Sequence, residues 1–138
     1  YHATLADLLQ TAHRRFGQAL LVDFHSMPAY DRQNTRLPDI VLGDGGGTTI
    51  SKDTGAAIAK HLSAVGLTVG WNPPYAGGHI PRHYGDARGT QQSLQIEINR
   101  DLYMDGPTRL NIEKTMQLAD IIAGLGRFMV KLLAPKAR

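Results

Sequence analysis

The chain reads as an α/β domain whose sheet is mixed, mainly parallel, and flanked by helices. Three observations carry that reading. Short apolar runs alternate with longer segments of helical period, the order being helix, strand, strand, helix, strand, long loop, strand, helix. The run Ala19 to Val22 ends in a polar cluster of Asp23, His25 and Ser26 and is stopped by Pro28, as a buried strand ends when it delivers functional groups at its C-terminal edge. At 138 residues the chain has the length of one domain, and it is read as a single unit over 1–138.

The elements follow in order. Residues 3–16 place Leu5, Leu8, Leu9, Ala12 and Phe16 at near-helical spacing, with Gly17 as a stop. A strand over 19–25 follows, then a loop over 28–38 holding Pro28, Asn34 and Pro38. Asp39 to Gly43 is a short buried strand ending in the glycine run 44–48. A helix over 52–65 turns Ala57, Ile58, His61, Leu62 and Val65 inward, with Gly66 as its C-cap. Leu67 to Trp71 is the third strand, and 72–89 is a long loop rich in His, Arg, Tyr and Gly. Ser93 to Asn99 is the fourth strand. The last helix spans about 108–133, with a broad apolar surface from Leu110, Met116, Leu118, Ile121, Ile122, Leu125, Phe128, Met129 and Leu132, and Gly124 and Gly126 are expected to permit close packing.

Composition narrows the function. No apolar run approaches the ~20 residues of a transmembrane helix. The net charge of +3 is modest and, apart from a tail of Lys131, Lys136 and Arg138, the basic residues are scattered, so no nucleic-acid stripe is read. There is no cysteine, hence no disulfide framework and no thiolate site. Any zinc must use histidine and carboxylate ligands.

Several residues invite chemistry, each beside a plainer reading. Asp23 and His25 alternate to the same side of their strand, where a carboxylate can orient an imidazole for metal binding or base catalysis; a strand-end histidine can also simply cap its neighbours. The glycine run lacks P-loop and dinucleotide spacing, so it is read as a turn that lets the backbone approach another segment. His61 is a core or boundary histidine. Leu94, Ile96 and Ile98 share one face of their strand, and Gln95, Glu97 and Asn99 the other. If both faces are covered, Glu97 is a half-buried carboxylate with a raised pKa, suited to a general base.

Five motifs in order, Asp23-Phe-His-Ser-Met-Pro28, Asp39-Ile-Val-Leu-Gly-Asp44, Asn72-x-Pro-Tyr-Ala-Gly-Gly-His79, Arg82-His-Tyr-Gly85 and Gln95-Ile-Glu-Ile-Asn-Arg-x-Leu-Tyr-Met-Asp105, resemble the N-formylglutamate amidohydrolase (deformylase) family from about His2 through Asp105. The resemblance implies a zinc-exopeptidase-like α/β fold and a cytoplasmic enzyme that hydrolyses N-formyl-L-glutamate to formate and glutamate in histidine breakdown. It makes His25 a zinc ligand and Glu97 the general base. Arg36, Arg82 and Arg100 become carboxylate clamps for the small-molecule substrate, with Tyr75 and His79 beside it. Members of the family are longer and draw further zinc ligands from a motif expected upstream of Tyr1, so this chain is expected to be inactive alone. A missing N-terminal segment or a second copy is expected to cover its apolar faces. The competing reading is a non-catalytic carboxylate-binding or interaction module built on the same fold.

Overall fold

The structure, a computed structural model, describes residues 1–134; Lys136 and Arg138 of the basic tail lie outside them. Helix α1 (His2–Phe16) ends at Gly17, whose φ of 75° lets its N–H close back onto the His13 carbonyl. Strand β1 (Ala19–Met27) runs two residues past the expected end, and the loop after it carries an isolated bridge between Tyr30 and Arg36. Strand β2 (Ile40–Gly43) leads through the glycine turn into α2 (Lys52–Ala64). The Ser51 hydroxyl caps α2 by accepting from the Thr54 N–H. The C-cap of α2 is Val65, and Gly66 follows it at φ 91°.

After β3 (Val69–Trp71) the long loop contains an element that its proline and glycine content obscured, the short helix α3 (His79–Tyr84). Strand β4 (Gln91–Asn99) begins two residues before the expected start. The last helix, α4 (Ile112–Leu133), starts four residues later than its apolar periodicity suggests. Residues 104–110 instead form a hairpin of β5 (Met104–Asp105) and β6 (Arg109–Leu110). Asn111 then caps α4, its side chain accepting from the Lys114 N–H and donating to Asp105. Capping chemistry, not periodicity, sets that helix start.

The sheet order is β1-β4-β2-β3, with β1/β4 and β2/β3 parallel and β2/β4 antiparallel. Alternation sorts its residues onto two faces. Ile40, Leu42, Leu94, Ile96 and Ile98 project to one face and pack with Ile58 and Leu62 of α2 and Leu125 of α4 in the principal core. His61 sits at the boundary of that core, its ring stacked 4.2 Å from that of Phe128. Leu118, Ile121, Ile122, Phe128 and Met129 of α4 also meet the core, whereas Leu110, Met116 and Leu132 are exposed. A Cβ at Gly126 would meet nothing within 4 Å and one at Gly124 only an arginine side chain, so these glycines serve no close helix contact. Among the described residues no helix is long and apolar enough to cross a membrane.

The opposite face is covered in patches. Leu9 of α1 and Tyr84 of α3 pack on Ala19, with Leu21 beside them, at the start of β1. Met27, Leu37, Val41 and Tyr75 form a second patch at the other end. Between the patches lie Asp23 and His25 on β1 and Gln95 and Glu97 on β4.

Gly43 also faces this way, paired with Gln95. A Cβ built on it would stand 2.6 Å from the Gly77 nitrogen and 2.7 Å from the Tyr75 carbonyl oxygen. The backbone of 75–77 therefore lies directly on the strand, tied down by the Gly45 N–H donating to the Ala76 carbonyl at 2.8 Å. Gly43→Ala should destabilise the fold by ~1–3 kcal/mol, the usual cost of overpacking, and speed amide exchange at Gly45 and Gly78. Urea unfolding with hydrogen exchange checks this; unchanged stability and protection would show that the loop does not rest on the strand.

Candidate active site

The parallel register sets His25 level with Glu97 and Asp23 level with Gln95. All four side chains share the face opposite the principal core. One Asp23 oxygen lies 3.0 Å from His25 Nε2, so the carboxylate fixes the ring and leaves Nδ1 uncommitted among the described residues. The His25 side chain is 49% exposed because β1 is an edge strand.

Glu97 is in a different environment: only 5% exposed and flanked by β1 and β2. Its carboxylate accepts from the Gln95 amide at 3.0 Å, while the Gln95 carbonyl accepts from the Gly78 N–H at 2.8 Å. Gln95 thus couples the carboxylate to the loop that lies over Gly43. Burial is the largest influence on Glu97 and raises its pKa; Asp23 raises it further, while His25, Gln95 and Arg100 pull it down.

The other residues singled out in the sequence are dispersed around this group. Arg36 is exposed and engaged by Asp101 at 2.8 Å and Asp39 at 3.6 Å, and the bond to Asp101 is the chief reason its pKa is raised. Arg82 on α3 donates from Nε to the Gly77 carbonyl at 3.0 Å, so it braces the loop over Gly43. Arg100 reaches the Ser26 hydroxyl at 3.4 Å, on the face of β1 away from His25. Tyr75 packs on Met27, Leu37 and Val41. His79 opens α3, its ring 5.1 Å from that of His83 and 5.6 Å from that of His2. Gln95 was legible only as a polar neighbour of Glu97; its link to Gly78 spans 17 residues and has no local sequence signal.

A zinc ion can be tested against these donors. His25, held by Asp23 and open to solvent on its other side, fits one corner of a zinc site, and Glu97 beside it fits a base rather than a ligand already spent. Among the described residues, however, no three His, Cys, Asp or Glu side chains are grouped so that they could hold a metal. These residues fit part of a zinc site and do not complete one.

Comparison with known proteins bears on the same residues. The profile of the family described as N-formylglutamate amidohydrolase matches residues 1–104. N-formylglutamate deformylase of Pseudomonas aeruginosa is 36% identical over 112 residues, 76% of this chain and 41% of that protein. The deformylase of Pseudomonas putida is 33% identical over 112 residues, 76% of this chain and 40% of its own length. The crystal structure of N-formylglutamate amidohydrolase from Ralstonia eutropha JMP134 superposes with a TM-score of 0.82 at 34% identity, covering 95% of this chain and 49% of that one. The chain therefore spans less than half the length of each of these relatives. With β1, β4 and the loop between His25 and Glu97 all inside the matched span, the chain belongs to the N-formylglutamate amidohydrolase family.

Proposed function

We propose that this chain carries the general base and one metal ligand of a site that hydrolyses N-formyl-L-glutamate to formate and L-glutamate, with a fold of the zinc-exopeptidase type. The observation that carries the reading is the level pair of His25, exposed and braced by Asp23, and Glu97, buried and held by Gln95. Environment supports these roles: a solvent-facing imidazole on a fixed carboxylate suits a ligand, and a desolvated carboxylate suits a base.

Glu97 takes a proton from the attacking water as its oxygen bonds to the formyl carbon. The C–N bond then breaks, Glu97 passes the proton to the leaving amine, and formate and glutamate depart. Gln95 keeps one carboxylate oxygen in place and leaves the other to move the proton. Bound zinc supplies a Lewis acid at the amide and lowers the pKa of a water to about 7. His25 would hold it through the nitrogen that Asp23 does not engage. The missing donors give a binding module a specific argument too; stoichiometric zinc binding by a longer form decides for the enzyme, and its absence for the module.

Three outcomes follow from these roles. In a form carrying the remaining ligands, Glu97→Gln should lower kcat by about 10²–10⁴-fold while zinc content stays near that of the parent; unchanged kcat refutes the base. The chain as given, with zinc in slight excess, should release no formate, because one ligand does not fix an open coordination position. Robust turnover by a monomer would overturn this ligand argument.

The metal-free chain should show the burial of Glu97 as a pH dependence. Its folded pKa lies above the reference value of 4.5, so the folded state holds this proton more tightly than the unfolded state. The contribution is full below 4.5 and is lost as pH rises through the raised folded pKa. Urea unfolding across that window should show Glu97→Gln with a flatter pH profile than the parent. Parallel profiles would mean that the carboxylate is not desolvated.

A further inference from the structure

A cavity of about 710 Å³ lies outside the group formed by His25 and Glu97. It opens just beyond them, where β1 ends at Pro28, between the loop 28–37 and the turn 73–75. Leu37 and Tyr75 on its wall also belong to the apolar patch with Met27 and Val41, and Val41 is level with Glu97. The cavity therefore shares an apolar wall with the patch that borders the candidate site.

Its walls are selective. Pro28, Leu37, Pro73 and Pro74 are apolar, and Tyr30 and Tyr75 contribute amphipathic rings. Gln33 and two charged residues, Asp31 and Arg32, complete the lining. One Asp31 oxygen accepts from the Gln33 and Thr35 N–H groups at 2.9 and 2.8 Å, which turns that carboxylate into the brace of its own loop. Arg32 has no ion pair and no side-chain hydrogen bond among the described residues. The three arginines expected to act as clamps differ from it: Arg36, Arg82 and Arg100 each already serve a carboxylate, a carbonyl or a hydroxyl of the fold.

We propose that Arg32 binds a carboxylate of the substrate in the cavity between the 28–37 loop and the 73–75 turn. The inference rests on the hydrolase reading and deepens it, by assigning discrimination between acidic and neutral acyl amino acids to this loop. A guanidinium over an apolar floor offers a planar pair of donors that a carboxylate fills and a primary amide cannot match in charge. In N-formylglutamate the α-carbon and two methylenes separate the side-chain carboxylate from the amide nitrogen, so the carboxylate assigned to Arg32 is the side-chain one.

The probe is glutarate, a dicarboxylate without an amide, titrated into the chain as given and followed by NMR, with glutaramide as the neutral control. Glutarate should produce saturable shifts at residues 30–33 and 73–75, and glutaramide should not. Arg32→Ala should weaken glutarate about tenfold or more, the loss expected for a charge-assisted pair, with Arg32→Lys between it and the parent. Because Arg32 is exposed, an otherwise unchanged spectrum shows that the variant is folded. Shifts centred on Arg82 or Arg100, or equal responses to glutarate and glutaramide, overturn the proposal. Turnover by a form with the remaining zinc ligands separates the two readings. If that form hydrolyses N-formylglutamate and Arg32→Ala leaves its preference over N-formylglutamine unchanged, the Arg32 assignment falls alone. If it hydrolyses neither substrate while glutarate still requires Arg32, the hydrolase reading falls and the carboxylate site stands.

Discussion

The parallel pairing of β1 with β4 is the constraint on which the site depends. Nine residues are matched in register from Ala19 with Gln91 to Met27 with Asn99. A slip of one position would move His25 to the opposite face from Glu97, because side chains alternate with a period of two. The apolar residues protect the register from both sides. Leu94, Ile96 and Ile98 must face α2 and α4, and Ala19 and Met27 must face the patches on the other side. The polar residues are thus held at the site by the burial of their neighbours, with no need for strong contacts among themselves.

The two strands give their polar groups unlike surroundings. Strand β1 is at the sheet's edge, so Phe24, His25 and Ser26 are exposed, and the imidazole keeps access to a ligand from outside. Strand β4 is interior, with neighbours on both sides, and Gln95, Glu97 and Asn99 are buried. A buried carboxylate without partners would be costly. The Gln95 amide limits that cost, and Gln95 is in turn fixed by a backbone N–H of the overlying loop. Burial is what raises the Glu97 pKa, and the loop that holds Gln95 rests on its strand because Gly43 has no side chain.

The arginines illustrate how a fold distributes charge. A guanidinium carries five donors, and loops with few apolar contacts use them as fasteners. Arg36 joins the loop after β1 to Asp101 beyond β4, and Arg82 secures the loop over Gly43. Both act on segments that border the site, so their loss would disturb it through loop position. Arg32 differs because the loop's own brace is Asp31.

The sequence by itself determined the order of the elements, the two faces of β4 and the family. Periodicity of two and of 3.6 residues, stops at Gly17 and Pro28, and five ordered motifs are local signals, readable without a third dimension. It also determined that Asp23 would lie on the side of His25, since alternation needs only the strand. The tertiary structure decided what depends on distant partners. The burial of Glu97 needed β1 and β2 on either side of β4, and its hydrogen bond runs through Gln95 to the loop above Gly43. The commitment of Arg36 to Asp101 spans 65 residues, and that of Gln95 to Gly78 crosses from strand to loop. Helix α3 and the hairpin before α4 were hidden for a related reason: both are short, α3 being held by packing on β1 and β4 and the hairpin by the bonds of Asn111 and Lys114 to Asp105, rather than by a repeating pattern.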